Sequence, residues 1–217
     1  MSNGMADLTT VLKRLEAATE RLEEIVAGKG GRVVPSGTPA VNGSPLVAAY
    51  DALIEGHVKP VVAKAAALGG LLAAQAEHVA AAFEAQRVFV GVAAKAAKPR
   101  AADLPSLLKN TQVALANVVE VRDAKNARAD PLFNHLSLVA EGIPALGWVA
   151  VEPTPVPYIG DLKDAAQFYS NRVIKEYKDK DKAHVEFAQA FIALLSELQA
   201  YVKTYHTTGV AWNNAKG

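Results

Sequence analysis

Apolar residues recur along this chain at steps of three and four, and no stretch keeps the two-residue alternation of a half-buried strand. The densest such stretch runs from Pro131 to Ala150. Leu132, Leu136, Val139, Ile143 and Leu146 follow helical spacing there, while Phe133, Leu138, Trp148 and Val149 fill much of the remaining girth. A helix apolar on most sides must be covered by other helices, so the pattern predicts a central element of a bundle. Asp130 is the expected N-cap, with Pro131 at the first helical position. Gly142 and Pro144 are expected to kink the rod without ending it.

Residues 6–27 carry a different rhythm. Leu8, Leu15 and Leu22 take one position of a seven-residue repeat, and Val11, Ala18 and Ile25 take the position three residues later. The flanking charges repeat as well, Arg14–Leu15–Glu16 returning as Arg21–Leu22–Glu23. This predicts a short coiled coil, with an amphipathic helix folded on its own domain as the alternative. Leu12 and Val26 widen the stripe, which favours more than two strands. Residues 28–44 are dense in Gly, Pro and Ser and cannot bury enough apolar surface to offset their ordering entropy, so they read as a flexible tether.

The folded domain is expected to span 45–217, with Ser44 as a cap ahead of Pro45. Helices are predicted over 45–55, over 57–68 around Pro60, and over 71–97 with Leu72, Ala76, Val79, Phe83, Val90 and Ala94 inward. The next runs from Pro105 to about Ala127, capped by Asp103. EPTPVP, residues 152–157, reads as an extended crossing. Tyr158 to about Lys178 then places Leu162, Ala165, Phe168, Val173 and Ile174 on an apolar face. A charged corner, KDKDK, precedes the last helix, His184 to Tyr205, which Gly209 should close as a left-handed C′ residue. The fold class is all-α: a six-helix antiparallel bundle behind a short N-terminal coiled-coil helix (1–27) and a flexible linker (28–44).

Composition fits that picture. Hydrophobic residues make up 51% of 217, ample for a core; a net charge of +1 argues neither for nor against a basic nucleic-acid footprint, and no nucleic-acid partner is expected. There is no Cys, which excludes disulfides and thiolate metal sites. No window approaches the roughly 18 uninterrupted apolar residues of a membrane span, so a soluble, cytoplasmic protein is expected.

Catalytic chemistry is sparse. His57, His78, His135, His184 and His206 show no HExxH or i, i+4 pairing, so neither metal nor cofactor is expected. His135, inside an apolar helix, reads as a core histidine bonded to a backbone carbonyl. What remains is surface. With helices running up and down, the 122–130 and 178–183 corners fall at one end, gathering Arg122, Lys125, Arg128, Lys175, Lys178, Lys180 and Lys182 beside Asp179 and Asp181. A solvated bundle end explains this, and so does a docking site for an acidic protein partner.

The RLE pair, LFNHLS, ALGWV, FYSNRVIKEYKDKD and the closing HTTGVAW at 206–212 together resemble the N-terminal half of the cyclase-associated proteins. The resemblance implies a dimerising helical domain and an oligomerising coiled coil. It implies a cytoplasmic regulator of the actin cytoskeleton whose N-terminal half works with cofilin to depolymerise filaments from pointed ends. In yeast-type members the RLE helix also contacts adenylyl cyclase, which makes Arg14, Leu15, Glu16, Arg21, Leu22 and Glu23 the candidate contact. Combined with the charged corner, it nominates Lys125, Arg128, Asn134, Arg172, Lys175, Tyr177, Lys180 and Asp181 as the actin- and cofilin-facing surface. The proline-rich, WH2 and β-structured parts of such proteins are not in this sequence, which reads as an N-terminal fragment of a longer one.

Overall fold

Ser44 accepts backbone hydrogen bonds from Val47 and Ala48, and Pro45 opens the first helix where a missing N–H costs nothing. The computed structural model describes residues 44–213. The predicted seam residues Leu8, Val11, Leu15, Ala18, Leu22 and Ile25, the RLE residues and linker positions 28–43 lie outside the described residues. Helix α1 (Pro45–Leu53) passes through a π turn (Ile54–Val58) into α2 (Lys59–Leu68). Then come α3 (Gly70–Ala93), α4 (Leu104–Asp123), a 3₁₀ turn (Ala127–Ala129) and α5 (Phe133–Gly142), which continues as 3₁₀ helix over Ile143–Ala150. Last are α6 (Pro155–Tyr177) and α7 (Lys182–Tyr205). No strand occurs among the described residues. With the two interrupted rods each counted once, this is the six-helix bundle that the apolar spacing predicts.

Several boundaries differ from the sequence expectation, each for a local reason. Ser44 occupies the N-cap, but its hydroxyl makes no cap bond. The first two predicted helices are one rod: Lys59 N–H reaches back five residues to Ile54, and the extra residue of the π turn carries the chain past Pro60. Asp103 occupies the N-cap of α4, but its carboxylate makes no cap bond and is held instead by Arg100 at 2.8 Å. Asp130 caps a turn instead of α5, accepting from Leu132 N–H at 2.8 Å, so the helix starts at Phe133. Beyond Gly142 the rod tightens to 3₁₀ and does not simply kink. The extended crossing is shorter than expected, since Pro155 and Pro157 both fit the first turn of α6. Gly209 sits four residues past α7 and is not its C′ residue. Its φ of +124° favours glycine, and a Cβ there would stand 2.6 Å from Glu152 Cγ.

The central segment is as buried as its composition demands. Leu136, Leu138, Ile143, Ala145, Leu146 and Trp148 have no exposed surface. Gly142 lets α7 come close: a Cβ there would meet Phe191 Cε1 at 2.6 Å and Leu195 Cδ1 at 2.8 Å. Helix α6 departs most from its predicted face. Pro155, Ile159, Ala166, Ser170 and Val173 are its buried residues, while Ala165 is exposed and Phe168 is 54% exposed.

Candidate docking surface

Helix α6 ends at Tyr177 and α7 begins at Lys182, and the corner between them is built from its own polar groups. Lys180 and Asp181 N–H both donate to the Tyr177 carbonyl at 3.0 Å. The Asp181 carboxylate accepts from Ala183 N–H at 2.9 Å, capping α7. Beneath the corner lies a ring cluster. His184 stacks on Tyr177 at 3.8 Å between centroids, and its Nδ1 lies 2.9 Å from His135 Nε2.

His135 is thus a core histidine, but its partner is another imidazole and not the backbone carbonyl expected from sequence. Helix α5 turns it toward α7, where His184 is nearest. Its Nδ1 has no partner. Burial, and then the positive field of His184, push His135 down to about 4, with Asp130 opposing them. His206, the other buried histidine, is fully engaged: Nδ1 accepts from Ala211 N–H at 2.9 Å and Nε2 lies 3.0 Å from the Tyr201 hydroxyl. Burial alone pushes it down to about 4. Among the described residues no group of three His, Cys, Asp or Glu side chains could hold a metal ion.

Outside this cluster, Asn134, Arg172, Lys175, Glu176, Asp179 and Lys180 line a concavity of about 520 Å³. Four of the eight residues nominated from sequence therefore share one surface: Asn134, Arg172, Lys175 and Lys180. Tyr177 lies beside it, with Lys180 Nζ 5.8 Å from its ring centroid. Asp181 serves the cap. Lys125 and Arg128 are exposed but do not line the concavity. The 127–129 turn packs against α5, the helix that carries Asn134 and His135. Arg122, also placed there from sequence, is tied to Glu141 at 2.9 Å and to Asp123. Arg172, Lys175 and Lys180 make no ion pair among the described residues. Sequence reasoning missed Glu176 and the exposed Phe168, whose helical spacing reads as core.

A six-helix bundle with a mixed-charge concavity at one end defines an all-α interaction-type domain. The chain matches the family model described as CAP, N-terminal domain, over residues 50–210, and the CAP N-terminal conserved motif over residues 9–49. It belongs to the cyclase-associated protein family, in its N-terminal part. Adenylyl cyclase-associated protein 2 of Mus musculus is 39% identical over 214 residues, covering 96% of this chain and 44% of the relative. Adenylyl cyclase-associated protein 1 of Homo sapiens is 40% identical over 210 residues, with the same coverage. The chain thus spans less than half the length of these curated relatives. Among solved structures, the N-terminal domain of the adenylyl cyclase-associated protein from Dictyostelium discoideum superposes with TM-score 0.76 at 34% identity, covering 79% of this chain and 96% of that one. A second structure of the N-terminal domain of CAP, described as indicating variable oligomerisation, gives 0.77 at 34% identity, with 83% and 96% covered. No helix among the described residues is long and apolar enough to cross a membrane.

Proposed function

We propose that this chain is a non-enzymatic, cytoplasmic regulator of actin dynamics that works with cofilin to promote filament depolymerisation at pointed ends and monomer recycling. The supporting observation is the concavity at the α6–α7 corner. It brings Asn134, Arg172, Lys175 and Lys180 together beside Glu176 and Asp179, with no ion pair to the three cations among the described residues, as a surface open to a charged partner would require. The surface binds the departing conformation of the terminal, cofilin-decorated subunit better than the seated one, and so shifts it toward release. Residues 1–27 form the oligomerising coiled coil and 28–44 the tether of the bundle at 45–217. Several bundles on one coiled coil raise their local concentration at a filament end.

The test is filament shortening watched one filament at a time with cofilin present, comparing residues 1–217 with 45–217. Faster loss at pointed ends with the longer chain, and less with the shorter, supports bundle and coiled coil together. A second reading is favoured by the match of the conserved motif to residues 9–49, which include both RLE repeats, and by the name of the relatives. In it the chain is a signalling scaffold whose RLE helix binds adenylyl cyclase. An RLE peptide that prefers a cyclase helix to its own copies would favour that reading.

A further inference from the structure

Helix α6 presents Phe168, Arg172 and Lys175 at i, i+4 and i+7, one outward stripe that continues into the concavity, where Asp179 follows in the turn beyond the helix. At its head, Phe168 is 54% exposed, the only aromatic among the large exposed apolar side chains of the described residues. It is not an isolated surface apolar residue. The Arg172 guanidinium lies 4.5 Å from its ring centroid and 5.9 Å from that of Tyr169, and Tyr169 packs edge-on to Phe168 at 5.2 Å. Arg172 therefore belongs both to this aromatic platform and to the charged concavity.

Lys59, Lys64, Arg87, Lys98, Arg100 and Arg122 each hold a carboxylate within 3 Å. Arg172, Lys175 and Lys180 hold none among the described residues, as is true of exposed lysines elsewhere such as Lys95 and Lys109. What sets these three apart is that they share one concavity next to an exposed aromatic ring. Stacked aromatic and arginine side chains ringed by polar groups are the composition of energetic anchors at protein interfaces.

Resting on the reading of this end as the actin-facing one, we infer that the Phe168–Arg172 platform is its anchor, taking an acidic protein segment that lays an apolar side chain on Phe168 and its carboxylates against Arg172, Lys175 and Lys180. Charge complementarity selects that occupant: three cations against the two carboxylates of Glu176 and Asp179 leave the concavity net positive, and none of the three is held in an ion pair among the described residues. The apolar ring supplies what charge alone lacks. A purely ionic contact at so exposed a site is screened and weak.

The experiment uses the full chain 1–217 with cofilin-decorated actin filaments, measuring the concentration that gives half-maximal pointed-end shortening. F168A and R172A are each expected to raise it by about tenfold or more, the range of interface anchors. R172K, which keeps charge but loses the planar stack, should fall near R172A. K175E/K180E should weaken the effect most at low salt. V113A, at an apolar residue 53% exposed on α4, is the control and should change nothing. Thermal unfolding of every variant should match the parent, which separates surface loss from misfolding. F168A within twofold of the parent, with the parent active, overturns the anchor and leaves the actin reading standing. Gain of activity in K175E/K180E overturns the acidic occupant. A parent with no effect on filaments removes the actin reading and this inference with it.

Discussion

Gln86 and His135 are both wholly buried, yet the amide has both its polar atoms engaged while the imidazole leaves one nitrogen without a partner. Gln86 Oε1 accepts from Trp148 Nε1–H at 2.8 Å and from the Tyr50 hydroxyl at 3.1 Å, and its Nε2 donates to the Leu146 carbonyl at 2.6 Å. Three segments are tied there: α1, α3 and, at two points, the 3₁₀ stretch after α5. None of these groups titrates in ordinary buffers, since burial drives the Tyr50 hydroxyl well above its usual range. His135 instead shares one contact with His184 under the charged corner. A buried network of groups that do not titrate keeps one arrangement across ordinary pH, whereas a buried imidazole with a lowered value makes stability a function of proton concentration.

The largest effect should come from breaking the satisfied hub. Gln86→Leu keeps the volume roughly but strips partners from Tyr50, Trp148 and Leu146 together. Each stranded group costs about 1–3 kcal/mol, so a total loss of about 4 kcal/mol is expected in urea unfolding. A loss under about 1 kcal/mol would mean that water or another side chain replaces the amide.

The pH response comes next. His135 and His206 both lie near 4 in the folded chain, against 6.5 when unfolded. A depressed folded value means that the unfolded chain takes up protons first, so stability is full above about 6.5 and falls as pH drops toward about 4. Unfolding midpoints measured by circular dichroism across that window should decline steadily. His135→Leu should flatten part of the decline and His206→Leu another part, although the latter also strands Tyr201 and Ala211. A midpoint unchanged across the window would show that neither ring is shielded from solvent.

The contrast between the hub and the corner also marks what sequence could tell. The bundle was legible because residues such as Leu136, Ile143 and Leu194 repeat every three or four positions, and burial demands nothing more specific. Proline was harder to read: Pro60, Pro155 and Pro157 all sit inside helices, tolerated by a π turn or by a first turn that needs no N–H. Of the residues that line the concavity, Lys175 and Lys180 follow from the up-and-down topology of the charged corners, while Asn134 and Arg172 come from the LFNHLS and FYSNRVIKEYKDKD motifs of the family resemblance. Gln86 gave no signal, because a glutamine on a helix reads as surface until Trp148 and Tyr50 close over it from distant elements. Phe168 misled for the opposite reason. Helical phase near the core cannot separate a residue at the margin of the buried stripe from one just outside it, and Ala166 and Ser170, small residues, took the inner positions.

Smaller effects sharpen the comparison at the corner itself. Asp181→Ala removes the one side-chain cap of α7 and the carboxylate 3.8 Å from His184 Nε2. A loss of about 1 kcal/mol is expected, typical of an N-cap. Asp181→Asn, which still accepts from Ala183 N–H, should restore nearly all of it. Should Asn fail where Asp succeeds, the charge near His184 and not the cap holds the corner.

The smallest change should be Phe168→Ser. A core phenylalanine truncated this way costs about 3–5 kcal/mol, but an exposed one costs within about 0.5 kcal/mol. With 54% of its surface in solvent and its one cation contact worth about 0.5–1 kcal/mol at an exposed site, Phe168 belongs to the second class. Two opposing terms narrow the estimate further: the lost contact with Arg172 destabilises, while hiding less apolar surface in the unfolded chain and freeing the guanidinium to hydrate offset it. Thermal melts of parent and variant should therefore superpose. A variant that loses several kcal/mol would place Phe168 back in the core to which its spacing assigns it, and the platform on α6 would be packing and not surface.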